Sequence, residues 1–200
     1  QLYLWHTANR IARFFGNTTP TLVVSNACIS GAAALIAARR ELLADRCDPL
    51  ADRCDAAVVI GADMLSRFVV SGFQSFKALS TEPCRPFDAN RTGLNLGEAA
   101  ATIILTRRAA KDLRPSDAVL TDGAIRNDAN HISGPSRTGE GCFRALRHIL
   151  RDIPAERLTN EIAFINAHGT ATPYNDEMES IALTRAGLDR VPVNSLKGYF

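Results

Sequence analysis

Residues 29–38 are apolar or small all round, with Ser30 the one polar side chain, before the chain turns abruptly to Arg39-Arg40-Glu41. A helix with no polar face has to be enclosed, so this run predicts three buried turns that surface only at their far end. A chain that carries such a helix must be layered. Strand-like runs at 21–25, 56–60, 100–105, 162–165 and 191–193 alternate with helix-like runs at 6–15, 29–43, 141–151 and 176–186, the pattern of an α/β protein. Val58-Val59-Ile60 and Ile103-Ile104-Leu105 lack polar alternation, which predicts a central sheet covered on both faces.

Two hundred residues suffice for one sizeable core or for part of a longer chain. The start at Gln1 and the stop just past the strand-like run 191–193 favour a segment of something longer. The charged stretch 107–117, with Pro115, marks the expected junction between a domain at 1–112 and a second at 113–200. Lys and Arg total 23 against 21 Asp and Glu, a balance too even to make nucleic acid the main partner. Five cysteines without a CxxC pair make neither a disulfide framework nor a zinc site, and fit a reducing, cytoplasmic setting. The repeated pentapeptides Ala44-Asp45-Arg46-Cys47-Asp48 and Ala51-Asp52-Arg53-Cys54-Asp55 read as a solvated helix end and loop. No apolar stretch approaches the roughly 20 residues needed to span a bilayer.

Cys28 lies between the strand-like run 21–25 and the small-residue helix. Amides at a helix start favour the thiolate, the nucleophilic form, so Cys28 is the leading nucleophile candidate. His168 follows a strand-like run and opens His168-Gly169-Thr170-Ala171-Thr172, and Lys197 closes Val193-Asn194-Ser195-Leu196-Lys197. Ligands gather at strand ends in open α/β sheets. Taken singly, each has a bland alternative: a packed thiol, a hydrogen-bonded structural histidine, a surface lysine. Together they are three chemically able side chains at three strand ends.

The runs Asn26-Ala27-Cys28-Ile29-Ser30-Gly31, Cys84-Arg85-Pro86-Phe87-Asp88-Ala89-Asn90-Arg91-Thr92-Gly93, Gly97-Glu98-Ala99-Ala100, His168-Gly169-Thr170-Ala171-Thr172 and Asn194-Ser195-Leu196-Lys197 occur in this order. They resemble the elongating β-ketoacyl-acyl-carrier-protein synthases of the thiolase superfamily, over essentially the whole chain. The resemblance implies a layered αβαβα architecture of which this chain is the central segment. It also implies a decarboxylative Claisen condensation between an acyl group on Cys28 and malonyl-acyl carrier protein, in fatty-acid or polyketide chain elongation. His168 would stabilise the enolate in a cavity shared with Cys28, and Lys197 would hold the charge network, oriented by Glu179 with Asp176 as its acidic companion. A second histidine is expected a few residues past Lys197.

By the same resemblance Thr170 and Thr172 would bind the pantetheine arm and Phe73 would gate the acyl pocket. Asp128, His131 and Ser133 would belong to a gating loop, and Lys77 would touch acyl carrier protein. The enzyme itself would bind no cofactor and no metal, the phosphopantetheine arriving on the carrier. A homodimer or a heterodimer with a related subunit is implied. Two other readings stand beside it: a non-catalytic, chain-length-determining partner subunit, which Cys28 opposes, and a degradative thiolase, which the His168 to Thr172 loop opposes.

Overall fold

The computed structural model describes residues 3–44, 54–131 and 134–200; Cys47, most of the repeated pentapeptide and Ser133 lie outside the described residues. The elements run α1 (Leu4–Phe14), α2 (Ser30–Ala44), β1 (Ala56–Asp63), α3 (Arg67–Ser75), β2 (Ala99–Thr106), α4 (Glu140–Ile149), α5 (Leu158–Glu161), β3 (Ile165–Asn166), α6 (Pro173–Arg185) and β4 (Val193–Asn194). The alternation expected of an α/β chain is present. Two compact units divide it: Gln1–Gly61 with Ala100–Thr121, and Ala62–Ala99 with Asp122–Phe200.

In the first unit β1 pairs with β2, and the Arg107 amide closes the pair on the Asp55 carbonyl at 3.2 Å. Two expectations fail here. Residues 21–25 form no strand; the segment is tied instead to α1, where the Thr21 hydroxyl donates to Asn9 Oδ1 at 2.7 Å. The strands are also not covered on both faces: Val59 is buried, but Val58 is 62% and Ile104 65% exposed. Among the described residues the ladder has two strands. Helix α2 departs from expectation in the same way, burying Ala33 and Leu42 while Ile29, at its nucleophile end, is exposed.

The second unit has a core of Leu158, Leu183, Leu188 and Val191, against which Leu146, Leu150, Ile153, Ile162, Ile165 and Ala186 pack. Each fully buried Leu is worth about 1.5–3 kcal/mol. Helix α6 delivers Leu183 to that core and is defined at both ends. Thr172 is its extended N-cap and Pro173 occupies the first turn, where the missing N–H costs nothing. At the other end Gly187 takes φ +76°, its amide donates to the Thr184 carbonyl, and the Leu188 amide donates to the Leu183 carbonyl at 3.0 Å. That is a Schellman closure, and the hydrophobic pair it brings together, Leu183 and Leu188, is in the core.

No element was expected over the stretch that forms α3, where Arg67-Phe68-Val69-Val70 carries β-branched and aromatic side chains. Ser66 decides it: extended at the N-cap, its hydroxyl accepts from the Val69 amide at 3.2 Å and so satisfies one of the open donors of the first turn. Strands β3 and β4 are parallel, with Ile165 opposite Val193 and Asn166 opposite Asn194. They start later than expected, because α5 runs to Glu161 and leaves 162–164 outside the ladder.

Candidate active site

Cys28 stands two residues before α2, on a turn built by local hydrogen bonds. The Ser30 hydroxyl accepts from the Asn26 amide and donates to the Ala27 carbonyl, both at 2.7 Å. Ala27 sits at φ +47°, a left-handed conformation that a side chain adopts only where its surroundings insist. The turn leaves Cys28 exposed, not at the buried end of a helix as the apolar run had implied.

The second unit assembles the other stations from its parallel strand pair. The Ile165 amide donates to the Pro192 carbonyl and the Ala167 amide to the Asn194 carbonyl, each at 2.8 Å. The two chains therefore leave the pair at the same end, carrying His168 on one loop and Lys197 on the other. Ser195 joins the loops: its hydroxyl lies 3.3 Å from the His168 carbonyl and 3.2 Å from that of Gly169. Gly169 holds φ +46°, and a Cβ there would fall 2.5 Å from Ser195 Cβ. Only glycine permits that approach.

Two acids on α6 hold the histidine loop from beneath. Glu179 accepts the His168 amide at 2.8 Å on one oxygen and the Gly169 amide at 2.9 Å on the other. Both its oxygens thus hold backbone of the histidine loop. Asp176 is buried and accepts from the Ala171 amide at 3.1 Å and the Phe87 amide at 2.7 Å. Thr170 is buried, and its hydroxyl meets that of Thr172 at 2.8 Å; Thr172 also accepts from the Asn175 amide side chain at 3.1 Å.

Crowding around the His168 imidazole lowers its pKa, and the positive charge of Lys197 lowers it further, while Glu179 and Asp176 act in the opposite direction. A lowered pKa favours the neutral ring, which can donate one hydrogen bond while carrying no charge. The two cysteines of this unit are held as thiols: burial raises Cys84, and burial with the Glu179 and Asp128 charges pushes Cys142 up to about 11. A nucleophile needs the thiolate, so neither Cys84 nor Cys142 is suited to that role.

The remaining sequence candidates stand elsewhere. Phe73 is half-buried on α3, and Lys77 is exposed just past the end of that helix at φ +54°, where a cation complements the helix dipole. Burial opposes ionisation of Asp128, but hydrogen bonds from Ser136 at 2.6 Å and the Gly141 amide at 3.2 Å prevail and lower its pKa. Asp128 thus ties its loop to the first turn of α4. With His131 it also lines an open cavity of about 600 Å³. Sequence reasoning missed Ser195 and Arg91 as contributors to the histidine loop. Both stand in motif runs, but those runs do not say that Ser195 reaches Gly169 across 26 residues or that Arg91 reaches Pro173 across 82. Among the described residues no His, Cys, Asp and Glu cluster could hold a metal ion, and no helix is long and apolar enough to cross a membrane.

Residues 4–111 match the family of β-ketoacyl synthase N-terminal domains and residues 117–200 that of the C-terminal domains. Nodulation protein E of Rhizobium leguminosarum bv. trifolii is 33% identical over 183 residues, 89% of this chain and 42% of that protein. The 3-oxoacyl-acyl-carrier-protein synthase 2 of Staphylococcus aureus is 31% identical over 126 residues, 60% of this chain and 31% of that one. Among solved structures, a ketosynthase in complex with its chain length factor from Xenorhabdus doucetiae is similar with TM-score 0.78 and 33% identity, covering 96% of this chain and 44% of that one. The chain spans less than half the length of these relatives.

Proposed function

The chain belongs to the β-ketoacyl synthase family and has the thiolase-like α/β fold of its ketosynthases, and from that premise we propose that the protein is a decarboxylating condensing enzyme acting on acyl groups borne by acyl carrier protein. The Cys28 thiolate attacks the carbonyl of the carrier-bound thioester, the carrier's sulfur leaves, and the acyl group remains on Cys28. Malonyl carrier protein follows. Its carbon–carboxylate bond breaks, carbon dioxide departs, and the electron pair is left as an enolate whose carbon attacks the acyl-Cys28 carbonyl. A carbon–carbon bond forms, the carbon–sulfur bond breaks, and Cys28 is free again.

The enolate is the costly species, because its charge collects on the thioester oxygen. The observation that carries the reading is the His168 loop, a backbone pinned by Glu179 at 2.8 and 2.9 Å, with burial and the Lys197 charge lowering the imidazole's pKa. A fixed neutral N–H stabilises an oxyanion without quenching it by proton transfer. Thr170 and Thr172 suit the amide groups of a pantetheine arm, with Phe73 at the acyl pocket and Lys77 facing the acidic carrier. The phosphopantetheine belongs to the substrate. A second subunit, identical or related, completes the assembly, as in the Xenorhabdus relative, which pairs with a chain length factor.

Full-length protein incubated with acyl-carrier protein should gain one acyl mass on the Cys28 peptide, absent in Cys28→Ala. An adduct that persists in that variant removes Cys28 from the mechanism. In His168→Ala, carbon dioxide release from malonyl carrier protein should fall about 10²–10³-fold, as when an oxyanion donor is removed; undiminished release would assign the enolate to another group.

A further inference from the structure

Two side-chain-bearing residues near the histidine loop, Phe87 at φ +61° and Ala171 at φ +59°, are left-handed. Such conformations are unfavourable for L-residues and persist where neighbours over-determine them. Both are held by one carboxylate. Asp176 is 1% exposed; its Oδ2 accepts from the Phe87 amide at 2.7 Å and its Oδ1 from the Ala171 amide at 3.1 Å. Arg91 supplies the opposite charge. Its Nη1 donates to the Asp88 carbonyl at 2.9 Å and its Nη2 to the Pro173 carbonyl at 2.8 Å. That leaves Nε 3.5 Å from Asp176 Oδ2, buried and without a hydrogen bond of its own. Toward Asp176, then, Arg91 acts through charge, while its bond to Asp88 closes the 84–93 loop on itself and its bond to Pro173 ties that loop to the start of α6. Ala171, fully buried, lies between the two threonines whose hydroxyls meet at 2.8 Å.

We propose that Asp176, partnered by Arg91, is a positioning residue that holds Ala171 and Phe87 left-handed and thereby sets the spacing at which Thr170 and Thr172 present their hydroxyls to a carrier-borne thioester arm. The proposal rests on the condensing-enzyme reading of the site. It assigns the acid to the geometry of the arm-binding loop rather than to the reacting atoms. Its effect therefore falls on substrate binding more than on the chemical step.

The test uses the full-length protein. In Asp176→Asn the shape is kept, but an amide N–H₂ now confronts one of the two backbone donors. Amide exchange protection at Phe87 or Ala171 should be lost, and KM for malonyl carrier protein should rise about tenfold, the scale set by releasing a strained turn, with kcat within about twofold of wild type. Adding Ala171→Gly should return KM most of the way, since glycine takes the turn without help. Unchanged exchange in Asp176→Asn overturns the proposal, and so does a double variant no better than the single one. If Asp176→Asn does not fold, Ala171→Gly alone decides: a raised melting temperature supports a strained residue, a lowered one overturns it. A wild type that turns over no carrier-borne thioester sinks the condensing-enzyme reading and with it the binding role; the exchange experiment then decides the clamp by itself.

Discussion

Cys28 and His168 each follow an apolar run and each stands on an unusual turn, yet the two turns are held in different ways. One hydroxyl, Ser30, closes the Cys28 turn from two residues away. The His168 loop is held by Glu179, Asp176 and Ser195, with Arg91 behind Asp176, from two other stretches of the chain. The contrast matches the two tasks. A nucleophile has to reach its electrophile and then give it up, which tolerates a locally built, exposed turn. A donor that stabilises a developing oxyanion acts only if it is already in place when the charge appears.

The largest effect expected on this contrast is chemical. Cys28→Ala should reduce condensation on the order of 10⁴-fold or more with little change in thermal stability, because the side chain is exposed; a large drop in melting temperature would show that the turn is a structural element after all. Asp176→Ala should do the reverse, costing about 3–5 kcal/mol in urea unfolding by stranding Arg91 and two backbone donors. A loss below about 1 kcal/mol would make the second unit's loop as locally built as the first. Gly169→Ala should cost about 1–3 kcal/mol, since the new methyl meets Ser195 and Pro86 at 2.5 and 3.0 Å; a crystal structure of the variant with the Ser195 contact intact would contradict this.

The smallest effect is in pH. The folded pKa of His168 lies below its unfolded value of about 6.5, so the folded protein binds fewer protons in the window between them. Its contribution to stability is whole above about pH 6.5 and is lost as pH falls from there through the folded pKa. Histidine NMR titration should place the midpoint below 6.5, and Lys197→Met should move it upward. A midpoint that ignores Lys197 would remove the lysine charge from the site.

Much of this was legible in advance. Residue periodicity places α1, α2, α4 and α6 within a few residues, and the stations at Cys28, His168 and Lys197 were marked by their positions after apolar runs. Helix α3 carries β-branched side chains in its first turn and is marked in sequence by little beyond its serine cap, Ser66. The expected cover over β1, β2 and α2 is missing within the first unit for a physical reason: apolarity states that a face prefers to leave water, but not what will cover it. The backbone partners of Glu179 were not legible either, since a carboxylate eleven residues after His168 can address a side chain or a backbone equally well.

The residue order alone determined the alternation of helices and strands, the family, and which side chains have the chemistry to act, because these follow from local patterns and from motifs read in register. Tertiary structure decided what each acid holds, that Arg91 and Ser195 belong with the histidine loop, and that Phe87 and Ala171 are bent left-handed. Those depend on hydrogen bonds that span from 5 residues, Ala171 to Asp176, to 89 residues, Phe87 to Asp176, and no local rule specifies which donors a buried carboxylate will find.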